Sequence, residues 1–120
     1  MKVLIIEDNE DLNNMFKVAF ESKKYDVEVS LNGMDGVTKA GEFKPDVILL
    51  DIMMPQMNGY EVLSALKNNT SFPTKVVINS NLEQEGDKEK AVNLGADLYL
   101  KKSEYTPFEV VEEVEKLLAK

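Results

Sequence analysis

The sequence has no cysteine, no histidine, no arginine and no tryptophan. Without cysteine there are no disulfides, no thiolate nucleophile and no Cys-ligated zinc or iron–sulfur site. Without histidine there is no Ser-His-Asp or Cys-His triad and no imidazole metal site. Without arginine all 14 cationic side chains are lysines, so a planar bidentate clamp on phosphate is missing. Positive charge is scarce as well: 14 lysines face 22 acids for a net charge of −8. This argues against a nucleic-acid surface, which needs clustered cations. No apolar run approaches a membrane span. The opening Met1–Ile6 is too short for a signal peptide and runs straight into acids. A soluble, cytoplasmic protein is expected. What is present is one domain's worth of chain, 120 residues, 43% of them apolar. Its chemistry must come from carboxylates, lysines, hydroxyls and backbone. Any metal should then be hard and oxygen-seeking, magnesium first and manganese next.

Short apolar runs alternate with stretches of helical period. Val3–Ile6 reads as a buried strand. Glu10 to Lys24 follows as a helix, with Leu12, Phe16, Ala19 and Phe20 on one stripe. Tyr25–Ser30 reads as a second strand, and Asn32-Gly33 opens a helix running to Phe43. Pro45 disfavours helix at Lys44, and Asp46–Leu50 is the third strand. Gly59–Lys67 is helical, Lys75–Asn79 the fourth strand, Glu85–Leu94 a polar helix, and Ala96–Leu100 the fifth strand. Thr106-Pro107-Phe108-Glu109 is a capping box with proline at the first helical position, opening the last helix. Five βα units in strict alternation imply parallel strands with right-handed crossovers. No linker or composition shift divides the chain, so residues 1–120 read as a single domain with no output module.

In an open parallel sheet, ligands bind beyond the carboxyl ends of the strands. After strand one stand Glu7 and Asp8, after strand three Asp51, after strand four Ser80, and after strand five Lys101 and Lys102. Taken singly, each has a plain explanation. Acids favour helix N-termini, Asp and Ser favour turns and caps, and lysines are usually solvated. Together they converge on one edge. Three clustered carboxylates raise one another's pKa, and a divalent cation relieves that conflict. Magnesium shares its coordination sphere with phosphate oxygens, so a phosphoryl group is the natural guest. A carboxylate nucleophile would yield an aspartyl phosphate, with metal and lysine stabilising the transferring oxygens. Glu10 and Asp11 read as first-turn helix residues. Met53, Met54 and Met57 read as packing residues. Met15 and Val18, off the main stripe of the first helix, fit either a docking patch or the core.

These residues resemble the response-regulator receiver domain of two-component signalling over essentially the whole chain. Asp51-Ile52-Met53-Met54-Pro55-Gln56-Met57-Asn58-Gly59 resembles that family's phosphoacceptor segment. Val3–Glu10 resembles its first strand and acidic pair, and Gly95–Lys102 its fifth strand and lysine. The resemblance implies a flavodoxin-like three-layer sandwich, a five-stranded sheet of order 2-1-3-4-5. It implies that Asp51 accepts a phosphoryl group from a sensor histidine kinase or phosphotransfer protein. Asp8, Asp51 and the Met53 carbonyl would bind Mg2+ directly, with Mn2+ a substitute, and Glu7 would help through water. Lys102 would pair with the phosphoryl oxygens, Ser80 would move to bond them, and Tyr99 would swing inward behind it. The face formed by the fourth helix, fifth strand and fifth helix would then control a downstream protein target. Three positions depart from the family: Glu7 replaces the commoner aspartate, Lys101 stands where an apolar residue is usual, and Ser103 replaces a proline. The family's peptide bond at that proline is commonly cis, and a cis Lys102–Ser103 bond would cost about 3–4 kcal/mol. Two-residue alternation puts Lys102, not Lys101, on the face of Leu98 and Leu100.

On this reading the protein catalyses its own phosphoryl transfer and dephosphorylation without conventional turnover. An aspartyl-phosphate phosphatase is the enzymatic alternative, but its usual acid/base aspartate would fall at Met53, which moves no proton. A scaffold that keeps its acids only as helix caps leaves the joint presence of Glu7, Asp8, Asp51, Ser80 and Lys102 unexplained. A flavin module lacks a phosphate-cradling loop after strand one.

Overall fold

A computed structural model of the chain describes residues 1–54, 57–68, 73–81 and 87–120. The elements run β1 (Lys2–Ile6), α1 (Glu10–Ser22), β2 (Asp26–Ser30), α2 (Gly33–Phe43), β3 (Val47–Leu50), α3 (Gly59–Lys67), β4 (Lys75–Ser80), α4 (Asp87–Asn93), β5 (Leu98–Lys101), a 3-10 turn (Lys102–Glu104) and α5 (Pro107–Leu118). All strand pairings are parallel, in the order β2-β1-β3-β4-β5. The expected five-stranded, doubly wound sheet is therefore present.

The strands are apolar on both faces because both are covered. Leu4, Ile6, Ile48, Leu50, Val76 and Ile78 pack with Ala40 of α2, Val62 and Leu63 of α3 and Ala91 of α4. Val3, Ile5, Val47, Leu49 and Val77 pack with Phe16, Ala19 and Phe20 of α1 and Val110, Val111 and Val114 of α5. At roughly 1.5–3 kcal/mol for each fully buried large apolar side chain, these two layers drive the fold and fix the strand ends.

Side-chain caps set where the helices begin. Asn9, Asn32, Asn58 and Thr106 each accept a hydrogen bond from a first-turn amide. Asn58 with Glu61 and Thr106 with Glu109 complete capping boxes. The Thr106 box was readable in the sequence; the asparagine caps complete the set.

Element ends differ from expectation most at two places. The first helix stops at Ser22, because Lys24 takes a left-handed φ of 67° and the Tyr25 amide turns back to the Phe20 carbonyl at 3.2 Å. The last strand begins at Leu98 rather than Ala96. Gly95 sits at φ 103°, and Asp97 clasps Val76, donating its amide to the Val76 carbonyl and accepting the Val76 amide on its carboxylate, both at 2.8 Å. The strand runs one residue further than expected, to Lys101, and Lys102 follows it as expected, starting the 3-10 turn. The fourth helix is described from Asp87, and Glu85 lies outside the described residues, as do Pro55 and Gln56 of the phosphoacceptor-like segment. No described peptide bond is cis, so the Lys102–Ser103 bond is trans. Among the described residues no helix is long and apolar enough to cross a membrane.

Candidate functional site

The carboxyl ends of β1 and β3 lie side by side. The Asp51 amide donates to the Ile6 carbonyl and the Glu7 amide to the Ser30 carbonyl, each at 3.0 Å. These bonds carry the sheet pairing one residue past the strands and fix Glu7 and Asp51 as neighbours. Both are almost fully buried, while Asp8 is exposed. One carboxylate oxygen from each of Glu7, Asp8 and Asp51 lies within 4.8 Å of the others. Lys102 reaches in from the end of β5, its Nζ 2.5 Å from Glu7 Oε1 and 3.3 Å from Asp51 Oδ2. The Asp51 Oδ1 accepts the Met53 amide at 3.2 Å, and the Glu7 Oε2 accepts the Asn9 amide at 3.1 Å.

Burial governs the electrostatics. It pushes Glu7 up to about 7 from an ordinary 4.5, with the Lys102 hydrogen bond opposing and the Asp51 charge adding to the rise. Burial likewise raises Asp51, against the pull of Lys102. Burial alone would lower the Lys102 ammonium, but hydrogen bonds and charge from Glu7 and Asp51 outweigh it and raise it. The site is thus an acid pocket already holding one cation, the lysine's own. Carboxylate oxygens this close together are the donor set of a hard divalent cation that keeps part of its water, and the residues present fit Mg2+.

The other predicted residues fall on the same edge. Ser80 is fully buried and ends β4, two residues past Ile78, the partner of Leu50. Tyr99 is half-buried, pairs with Ile78 and packs against the apolar layer of α3 and α4. Lys101 is half-buried and pairs with Ser80. Met54 is buried, Met57 packs against the same layer, and Met53 is exposed with its side chain outside the core. Glu10 and Asp11 occupy the first turn of α1, as expected. Met15 and Val18 are more than half exposed, which rules out the core as their place. With Asn14, Pro107 and Phe108 they line a shallow apolar groove between α1 and α5.

Sequence reasoning missed two buried asparagines. Asn13 donates through Nδ2 to both the Glu7 and Ser30 carbonyls at 3.0 Å, tying the ends of β1 and β2 to α1. Asn79 sits in β4, 2% exposed, and its Oδ1 has no hydrogen-bond partner among the described residues. The only available signal was a polar residue in a position otherwise read as core. Asn13→Leu should lose about 1–3 kcal/mol, since it takes a donor from the Glu7 carbonyl and leaves the Ser30 carbonyl with the Glu7 amide alone. Denaturant titration checks this, and an unchanged midpoint would show that the tie is not needed.

Residues 3–115 match the family described as response regulator receiver domain. The chain is 33% identical over 111 residues to response regulator ArlR of Staphylococcus saprophyticus, covering 92% of this chain and 48% of that protein. It thus spans about half the length of that relative. It is 32% identical over 103 residues to protein PilG of Pseudomonas aeruginosa, covering 85% of this chain and 76% of that one. Among solved structures, the receiver domain of Francisella response regulator 1452 superposes with a TM-score of 0.87 at 29% identity, covering 97% and 94% of the two chains.

Proposed function

The chain belongs to the response regulator receiver domain family, and on that premise we propose that it is a phosphorylation-driven switch with Asp51 as phosphoacceptor. The observation that carries the proposal is the Lys102 ammonium lodged between Glu7 and Asp51 beside exposed Asp8. That is a pocket made for a cation and an anion together.

Glu7, Asp8, Asp51 and the Met53 carbonyl would hold Mg2+. When bound, it neutralises the acids and withdraws charge from the transferring oxygens. Asp51 attacks the phosphorus of a phosphohistidine on a sensor kinase or phosphotransfer protein. The carboxylate–phosphorus bond forms as the phosphorus–nitrogen bond breaks, and imidazole leaves. Lys102 pairs with the phosphoryl oxygens and stabilises the charge that develops there. Water reverses the modification by hydrolysing the acyl phosphate.

Output follows from the same charge. Ser80 turns toward the phosphoryl group, Tyr99 moves inward behind it, and the surface of α4, β5 and α5 changes for a downstream protein target. Taking such an equilibrium from mostly off to mostly on needs about 5.5 kcal/mol. Hydrogen bonds to a charged group supply roughly 1.5–3 kcal/mol each, so Ser80, Lys102 and backbone amides suffice together. The exposed Met15, Val18 and Phe108 face begins where α1 and α5 leave the site, and it is the surface offered to the phosphodonor protein.

Intact-mass measurement with acetyl phosphate and Mg2+ should show one added phosphoryl group, absent in Asp51→Ala and abolished by chelator. Uptake that survives in Asp51→Ala, or sustained turnover of phosphate esters, would overturn the proposal.

A further inference from the structure

We propose that Asn79 is a positioning residue for Lys102, its side-chain carbonyl holding the ammonium once Glu7 and Asp51 are engaged with a divalent cation. The inference rests on the reading of Asp51 as phosphoacceptor. Sheet register places the residue. Ile5 pairs with Leu49, Leu49 with Val77, and Val77 with Leu98. Two residues further along each strand, on the same face, stand Glu7, Asp51, Asn79 and Leu100. The packing agrees: Val77 and Leu100 belong to the layer of α1 and α5, Val76 and Ile78 to the opposite layer. Asn79 therefore shares the face of the two buried acids and stands next in line to Asp51.

Because β4 separates β3 from β5, the Lys102 side chain crosses the end of β4 to reach Asp51 at 3.3 Å and Glu7 beyond it. An ammonium has three N–H donors, and the two acids take at least one each. A buried carbonyl with nothing to accept is costly, and Asn79 Oδ1 is one of two such buried side-chain atoms among the described residues. The other, on Asn13, belongs to a side chain clamped to the Glu7 and Ser30 carbonyls at the β1–β2 side of the sheet, away from β5. When Glu7 and Asp51 turn their lone pairs to a divalent cation, that charge repels the lysine. Asn79 Oδ1 then gives the ammonium an acceptor next to Asp51, from which it reaches a phosphoryl oxygen.

Two variants and two readouts test this. Asn79→Val removes the acceptor, and Asn79→Ser keeps a shorter one. In chelator, Asn79→Val should raise the denaturant midpoint, because an unpaired buried carbonyl is gone. With acetyl phosphate and Mg2+, its phosphoryl uptake should slow about tenfold, with Asn79→Ser between it and wild type. A structural role alone would move rate and stability in the same direction. In 1H–15N spectra the Asn79 side-chain amide should shift on adding Mg2+ in wild type and not in Lys102→Met. Wild-type uptake in Asn79→Val, or an equal amide shift in Lys102→Met, overturns the inference while leaving Asp51 in its role. A wild type that neither takes up phosphoryl nor responds to Mg2+ refutes that role, and this inference with it.

Discussion

Lys102→Met should cost the metal-free protein about 3 kcal/mol of stability at pH 8 and markedly less at pH 5. Removing one member of a buried ion pair costs about 3–5 kcal/mol, because the partner charge stays behind. Here two carboxylates stay behind, both already raised by burial. The sign follows from proton binding. Glu7 ionises near 4.5 unfolded and about 7 folded, so between those values the folded chain holds more protons. Stability therefore falls as pH rises through that window. Without Lys102 to oppose burial, the folded values climb further and the penalty at pH 8 grows. At pH 5 Glu7 already carries its proton, so less uncompensated charge stays behind and the loss is smaller. Guanidinium titrations in chelator at the two pH values measure the difference, and an equal loss at both would reduce Lys102 to a packing residue. Millimolar Mg2+ should restore much of the loss at pH 8, and should bind the variant more tightly than wild type, since the competing ammonium is gone. Phosphoryl uptake should nonetheless fall roughly 100-fold, the usual effect of losing a donor aimed at a developing anion.

Gly59→Ala should be nearly as damaging, by a different route. Gly59 is the first residue of α3, and a Cβ there would lie 2.5 Å from both the Asp51 carbonyl oxygen and Ile52 Cα. Both are backbone atoms, so no rotamer relieves the clash. The helix has to retreat from the strand, stretching the 2.9 Å bond from the Gly59 amide to the Ile52 carbonyl. About 3 kcal/mol is expected, the upper end for overpacking. At least tenfold slower phosphoryl uptake should accompany it, because Asp51 loses its fixed orientation. Gly41→Ala is the matching control. Nothing lies within 4 Å of its added methyl, and an alanine in the last turn of α2 should stabilise by up to about 1 kcal/mol. Equal behaviour of the two variants would mean that the close approach at Gly59 carries no weight.

The fold was legible because its signals are local. Runs such as Val3–Ile6 and Asp46–Leu50 are too apolar and too short for anything but covered strands. Thr106-Pro107-Phe108-Glu109 announces a helix start by itself. Once the alternation of strands and helices was read, topology carried Glu7, Asp51, Ser80 and Lys102 to one edge. What stayed hidden depends on partners distant in sequence. Alternation favoured Lys102 over Lys101, and the ion pairs with Glu7 and Asp51 involve Lys102, but the 3-10 turn from which it reaches them had no signal in the sequence. The resemblance gave Glu7 a part toward the metal through water, and its direct contact with the lysine is an addition that only the structure supplies. Asn13 and Asn79 read as an ordinary helix residue and the end of a strand, since no local pattern reveals which carbonyl an amide will find or fail to find. Ala96 and Asp97 read as strand because nothing nearby shows that the Asp97 carboxylate takes the Val76 amide.

That carboxylate does more than delay a strand. It also receives Lys67 from α3 at 3.4 Å and Lys75 from the start of β4 at 3.9 Å. The amino end of β4 is thereby riveted to the approach to β5 and to the helix on its flank. Ser80 stands at the opposite end of β4, paired with Lys101 at the opposite end of β5, and Tyr99 lies between them and the clamp. A pair of beams clamped at one end and loaded at the other bends mostly toward its tip, so if Asp51 takes a phosphoryl group as proposed, displacement is expected to be largest at the carboxyl ends of β4 and β5. Asp97→Ala would loosen the amino end of β4 while the parallel ladders to β3 and β5 keep the register, so the stiffness of that end would drop without the strands coming apart.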